Sequence, residues 1–304
     1  MAAERPQDAI TVAVSTRDRP DVLARCLATL ASQTTPPAEV VVVDQSQDDR
    51  SRAVVAAAAR DDGLPVVHVP DAGSGLGRSQ NLAFRHATRP IVAVTDDDCV
   101  PAPDWLEQIA ATLGRDPGLA GVTGPVRPLG PEAPDRVAVA TRTSTQAVTL
   151  RGRHLPFGFG SGNNFAVRRE WLERVGGNDE RLGPGAEGQG SVDLDLFYRL
   201  MRAGGALRYE PAVAVEHERA SVADRRARRW PYGHGVGACS VLRAAEGDRF
   251  AIRMLLSWLL ARTRRLLAGA RRGDGERVTE ELRVLAGTVV GVGRGVRLAR
   301  QGRP

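Results

Sequence analysis

Three consecutive carboxylates, Asp96, Asp97 and Asp98, follow directly on the β-rich run Ile91–Thr95. Such a trio repels itself unless something cationic sits among its members. In an extended segment Asp96 and Asp98 point the same way. That pair can present oxygens to Mg2+ or Mn2+, ions that also take diphosphate oxygens. A solvated acidic turn or a helix cap would use the same residue type, but Asp104 already supplies a cap further on. Their position at a strand end favours the metal reading.

Small, polar and acidic residues recur after the other strand-like runs. Ser15-Thr16-Arg17-Asp18-Arg19 follows the first, and the second ends in Asp44. The third runs into Asp71-Ala72-Gly73-Ser74-Gly75-Leu76-Gly77-Arg78. Ligands of open parallel sheets bind beyond the carboxyl ends of the strands, so four such segments in succession describe one nucleotide pocket. The glycine loop is not a dinucleotide fingerprint. Arg78 stands where the third glycine belongs, and the loop follows the third strand rather than the first. It instead lets backbone and Arg78 approach a diphosphate.

The elements that must carry these residues alternate. Strands are predicted at Ile10–Ser15, Val40–Asp44, Val66–Val69, Ile91–Thr95 and Leu119–Thr123. Helices are predicted after Pro20 and over Arg50–Arg60, Arg78–Ala87 and Asp104–Leu113. This order implies right-handed crossovers and an α/β fold with a mainly parallel, Rossmann-like sheet flanked by helices. Beyond Gly124 the pattern loosens. Pro125–Pro134 reads as loop, Arg136–Leu150 as either helix or strand, and Phe165–Val167 as a short strand before a helix at Arg169–Val175. The loop Gly183–Gly190 has the composition of a mobile lid or of a flexible connector. A helix over Val192–Ala203 follows, then a closing strand pair near Leu207–Tyr209 and Val213–Val215.

All 42 basic residues of the 304-residue chain are Arg. The absence of Lys excludes a P-loop lysine, a lysine Schiff base and a lysine general base. Cys26, Cys99 and Cys239 are too few and too widely spaced for a disulfide framework or a zinc knuckle, which points to a reducing, cytoplasmic setting. Residues 1–9 lack the apolar core of a leader, and no run approaches the ~18–20 apolar residues of a membrane span.

The net charge of +6 is unevenly spread, because residues 219–304 hold 19 Arg against seven acidic residues. The excess is interleaved with Leu, Val and Ala, which argues against nucleic acid as the partner. It reads as a basic helical appendage with candidate helices over Phe250–Ala270 and Val278–Leu298. Residues 250–300 suit an anionic membrane, at the inner face of the plasma membrane, or a homodimer contact, or packing against the body of the protein.

The segments VSTRDRP (14–20), VVVVDQS (40–46), GSGLGRSQNLA (73–83), VTDDDCVP (94–101) and SVDLDLFYRLMRAG (191–204) together resemble the family-2 glycosyltransferases. The resemblance covers residues 10–218 and implies a GT-A fold. Residues 1–124 would form the nucleotide-sugar half, 125–218 the acceptor half, and 219–304 the helical appendage. It places Thr16, Arg17 and Asp44 at the nucleoside, Arg78 and Asn81 near the diphosphate, and Asp97 with the nucleotide sugar. Asp96 and Asp98 become a D-x-D site for Mn2+ or Mg2+, with His217 beside the metal.

Asp193 matches the family's general base, although Val192 stands where Glu is usual; Asp195 and Glu187 are rivals. Gln45 replaces a second Asp common after the second strand. The implied reaction is inverting transfer from a UDP-, dTDP- or GDP-linked sugar to the hydroxyl of a glycan, lipid-linked or natural-product acceptor. Two alternatives remain. A sugar-phosphate nucleotidylyltransferase would want glycines in the first loop, which STRDRP lacks. A non-catalytic membrane- or RNA-binding protein on the same scaffold would not need Asp96, Asp98 and Asp193.

Overall fold

The computed structural model describes residues 9–302, so the leader reading of the first residues falls almost wholly outside the described residues. The chain begins with β1 (Ile10–Thr16), α1 (Pro20–Ala31), β2 (Glu39–Asp44), α2 (Arg50–Asp61), β3 (Val66–Pro70), α3 (Leu76–His86) and β4 (Ile91–Asp96). Next come β5 (Cys99–Pro101), α4 (Trp105–Arg115), β6 (Leu119–Thr123), β7 (Val126–Pro128), β8 (Arg136–Val137) and β9 (Val148–Leu150). β10 (Asn164–Arg168), α5 (Arg169–Val175), α6 (Val192–Arg202), β11 (Ala206–Tyr209) and β12 (Val215–His217) follow. β13 (Ala220–Ser221) then leads into α7 (Val222–Ala227), α8 (Arg229–Ala245), α9 (Arg249–Arg271) and α10 (Gly275–Gln301).

One large sheet has the order β3-β2-β1-β4-β10-β6-β11-β9. β3, β2, β1 and β4 are parallel, and β10 runs antiparallel between β4 and β6. The parallel quartet brings four strand ends to one rim, with Thr16 beside Asp44 and Ser15 beside Asp96. Alternate residues of these strands feed two cores, as a doubly covered sheet requires. Val12, Val14, Val40 and Val42 pack with Leu23, Leu27, Trp105 and Ile109. Ala13, Val41, Val43 and Val94 pack with Phe84, Phe165, Phe197 and Leu200.

Two local expectations are corrected. β11 and β12 are not partners, because β11 joins the large sheet between β6 and β9 while β12 lies between β5 and β7 in a small second sheet. Both are short apolar runs, and only long-range pairing decides which sheet takes which. Arg136–Leu150 is neither one helix nor one strand: it holds the short β8 and β9 joined by irregular backbone.

The sequence reading also missed α8. Pro231 sits in its first turn, where the ring is tolerated, but Gly233, Gly235 and Gly237 look like loop residues. Gly233 and Gly237 are there because α8 and α10 touch backbone to backbone, and Gly235 because it meets the backbone of Gly190. A Cβ added to Gly291 would strike the carbonyl of His234, one on Gly233 that of Val284, and one on Gly237 that of Thr288. Gly291→Val is therefore expected to cost about 3 kcal/mol, the upper range for forced overpacking. Chemical denaturation of the purified variant measures it, and an unchanged midpoint would refute the backbone contact. The helices are also fastened to the body. Val236, Leu242, Met254, Trp258 and Leu298 share a core with Leu182, Val192, Leu194 and Tyr198 around α6. Among the described residues no helix is long and apolar enough to cross a membrane.

Candidate active site

The rim at the ends of β1 and β4 is built around the Asp trio. Thr16 Oγ1 donates to Asp97 Oδ2 at 2.7 Å, and the Arg19 guanidinium bonds to both Asp97 and, at 3.1 Å, Asp98. Arg19 is thus one cation that the trio requires. The sequence reading passed over it in favour of Arg17, whose side chain is half exposed and faces Asp18 at 3.6 Å. Its signal was the place just before Pro20: the residue capping α1 leaves β1 directly opposite the end of β4.

Among the described residues Asp96 forms no ion pair, and Arg19 acts on it only through its charge. Burial, together with Asp98 and Asp97, pushes its carboxyl up to about 8 despite Arg19, and Asp193 adds to the rise. Burial likewise holds Asp97 up at about 6, against the attraction of Arg19 and the bond from Thr16.

The antiparallel pairing of β12 with β5 sets His217 across from Cys99. That register brings His217 Nε2 to 3.4 Å from Asp98 Oδ1, while its Nδ1 lies 2.6 Å from the Glu218 carbonyl oxygen. Asp98, Cys99 and His217 each offer an atom within 4.8 Å of the others. Carboxylate and imidazole suit Mn2+ or Mg2+ chemistry, and the second ring nitrogen bound to a carbonyl is how ligating histidines are held. The Cys99 thiol is driven well above its ordinary value by burial and by the neighbouring carboxylates, so it stays protonated beside the pair. The donor set therefore fits a hard divalent ion through Asp98 and His217, with Asp96 adjacent.

The side of the rim at the ends of β2 and β3 is already hydrogen-bonded. Arg78 Nη2 donates to Asp71 Oδ1 at 3.0 Å, and Gln45 Nε2 donates to Asp71 Oδ2 at 2.9 Å. Burial opposes ionisation of Asp71, but the bonds from Arg78, Gln45 and the Gly73 N–H outweigh it and hold the carboxyl at about 2. Gln45 thus takes a partner from the glycine loop. Asp44 lies 2.9 Å from His68 Nε2 and accepts from the Ser46 N–H. Asn81 points elsewhere: its amide donates to the Asn178 carbonyl and Glu180 and accepts from the Asn178 N–H, so it anchors the loop after α5.

Across the rim, α6 presents Asp193. The residue before it but one, Ser191, has a left-handed φ of 64°, a strained conformation for a residue with a side chain that is often found at functional sites. The Gly-rich segment before β10 presses on Asp193, since a Cβ on Gly162 would fall 3.1 Å from the Asp193 Cβ. Burial raises the Asp193 carboxyl above its ordinary value, while the Leu194 and Gly162 N–H groups and the charge of Arg142 pull it back. Arg142 comes from the irregular stretch that the sequence left unread.

The rivals are otherwise engaged. Asp195 is fully buried and paired with Arg199 at 2.6 Å and Arg243 at 3.1 Å, and Glu187 is paired with Arg294 at 2.5 Å. Val192 is buried against Gly77 and Gly183, where it locks the glycine loop to the Gly183–Gly190 loop. That second loop is stitched by its own backbone, Gly183 N–H to the Gly190 carbonyl and Gly188 N–H to that of Arg181.

Residues 6–233 match the family model described as "Glycosyltransferase like family 2". A pre-mycofactocin glycosyltransferase of Mycobacterium tuberculosis is 30% identical over 209 residues, covering 65% of this chain and 42% of that protein. Chondroitin synthase of Escherichia coli is 28% identical over 244 residues, covering 69% of this chain and 35% of that protein. The chain thus spans less than half the length of these curated relatives. A mannosyltransferase of Pyrobaculum calidifontis, solved in complex with GDP-Man and Mn2+, superposes with a TM-score of 0.65 over 93% of this chain and 87% of that one. At 22% identity this likeness shows the shared GT-A fold. The family match runs from the start of β1 past His217 and takes in both sides of the rim, and the chain belongs to the glycosyltransferase-like family 2.

Proposed function

We propose that this chain transfers a sugar, with inversion, from a nucleotide-diphosphate sugar to an acceptor hydroxyl, with a divalent ion bound by Asp98 and His217. The observation that carries the reading is Asp193. It projects from α6 toward the acidic rim of β4, close enough to raise Asp96, and its own raised carboxyl makes it a stronger proton acceptor than an ordinary aspartate.

The bound ion supplies charge neutralisation for the departing diphosphate. The chain's own residues do the rest. Arg78, steered by Asp71, meets the diphosphate from the glycine loop. Thr16 and Arg19 fix Asp97 and Asp98 in place, and Asp44 lies at the nucleoside end of the rim. Arg17 stands at its exposed edge, and Asn81 supports this side through the 176–180 loop. Asp193 takes the hydroxyl proton as the acceptor oxygen attacks. The nucleotidylyltransferase alternative still lacks glycines in its first loop.

The test is a thermal-shift screen of UDP, dTDP and GDP with and without Mn2+. A nucleotide that binds only the folded protein raises its apparent stability, and one base should do so in a metal-dependent way. Asp98→Ala should abolish both that dependence and sugar transfer while leaving the unliganded melting temperature close to wild type. Metal-dependent binding that survives in Asp98→Ala refutes the metal assignment.

A further inference from the structure

Beside the catalytic rim lies a cavity of about 520 Å³ whose walls combine cations and rings. Arg142, whose charge acts on Asp193, lines it together with Arg153 and Arg253. The apolar wall is Phe157, Phe159 and Phe250. The cations are under-used. Among the described residues Arg142 pairs with no carboxylate; its Nη1 donates to the Thr141 carbonyl, and its Nε is buried without a partner. Arg253 is exposed, lies over the face of Phe250 at 5.6 Å from the ring centroid, and among the described residues pairs with no carboxylate. Arg153 shares Asp248 with other groups and also lies over Phe250.

Arg253 belongs to a second groove as well, formed with Arg249, Ile252, Leu256, Ser257 and Leu260 along α9. Ile252, Leu256 and Leu260 are 50%, 61% and 52% exposed and follow one another at helical spacing. An aromatic chamber beside the base thus leads, past an unpaired arginine, onto an exposed apolar ridge. α9, which carries the ridge, holds six Arg and no acidic residue.

We propose that this cavity is the acceptor site and that the acceptor is an anionic amphiphile, a hydroxyl-bearing headgroup with a phosphate and an apolar tail. The phosphate lies among Arg142, Arg153 and Arg253, and the tail runs over Phe250 onto the Ile252–Leu256–Leu260 ridge. Arginine forks match phosphate oxygens, and the basic ridge suits the membrane surface from which such a molecule comes. The assignment rests on the sugar-transfer reading. In that step the acceptor hydroxyl oxygen bonds to the sugar's anomeric carbon, the carbon–oxygen bond to the diphosphate breaks, the nucleoside diphosphate leaves, and the hydroxyl proton passes to Asp193.

The test measures binding of octyl phosphate to the full chain by calorimetry, without donor or metal. Octyl glucoside serves as the neutral amphiphile and inorganic phosphate as the free anion. Octyl phosphate should bind at least tenfold more tightly than either control. Arg142→Gln and Arg253→Gln should each weaken it about tenfold, the scale of one lost charged hydrogen bond. Arg253 is exposed, so its variant tests the site without risk to folding.

Equal binding of octyl phosphate and octyl glucoside overturns the anionic assignment. Inorganic phosphate binding as tightly as octyl phosphate overturns the amphiphile, and indifference to both arginine variants overturns the site. If octyl phosphate binds as stated while no donor is ever consumed, the sugar-transfer reading and with it the acceptor role fail, and the cavity is left as a binding site for an anionic amphiphile.

Discussion

Asp193→Asn is expected to lower sugar-transfer turnover by about 10²- to 10⁴-fold, the usual contribution of a general base, with donor affinity nearly unchanged. Asparagine keeps the size and the hydrogen bonds from the Leu194 and Gly162 N–H groups but cannot take a proton. The loss should therefore fall on kcat rather than on donor binding. Burial raises this carboxyl, and the base works only when ionised. Wild-type kcat should thus decline as pH falls through a value above the ordinary carboxylate range. Asp195→Asn breaks an ion pair with Arg199 and Arg243 and should lower stability far more than turnover. Glu187→Gln removes one half-exposed ion pair and should change little. A kcat collapse in Asp195→Asn or Glu187→Gln, with Asp193→Asn active, would move the base elsewhere.

The rim at the ends of β1 to β4 was legible because strands buried on both faces read as continuous apolar runs, and their ends announce themselves by polar residue type. Val40–Asp44 and Ile91–Thr95 each gave a strand and the acidic residue at its end. His217 was legible only through the family resemblance, since its meeting with Asp98 depends on β12 pairing with β5. Arg19 was hidden by local logic, because an arginine before a proline reads as the start of a helix. Arg142 lies in a stretch without periodicity and is held by a bridge to Val126. α8 was illegible for a stronger reason. Its glycines oppose helix formation by about 1 kcal/mol each and are compensated by the close approach of α10, a contact between segments some fifty residues apart.

The second large effect concerns Arg243, which is fully buried. It pairs with Asp179, with Asp195 at 3.1 Å and with Glu246 at 2.9 Å. Asp179 in turn pairs with Arg181 at 2.7 Å, and Arg181 donates to the Gly302 carbonyl beyond α10 at 2.9 Å. One cation on α8 therefore ties α6, the 178–181 loop and the end of the helical tail. Arg243→Met preserves much of the volume but strands two buried carboxylates, each left with a single arginine. Breaking a buried pair costs about 3–5 kcal/mol. With one cation remaining to each acid, the lower end applies, which for a chain of this size is a fall in Tm of roughly 5 °C.

The acid limb should move as well. Burial would raise Asp179, but the bond from Arg181 and the charge of Arg243 hold it at about 2. A depressed carboxyl contributes stability above its unfolded value and loses it as pH falls toward the folded one. In Arg243→Met the folded value rises toward the unfolded one, so less stability is left to lose and the gap to wild type narrows as pH falls below the ordinary carboxylate range. Melting curves at pH 7 and pH 3 would show both effects. A Tm within about 2 °C of wild type at pH 7 would mean that α6 and the tail are held by apolar packing alone, and that Asp195 is buried for some purpose other than receiving Arg243.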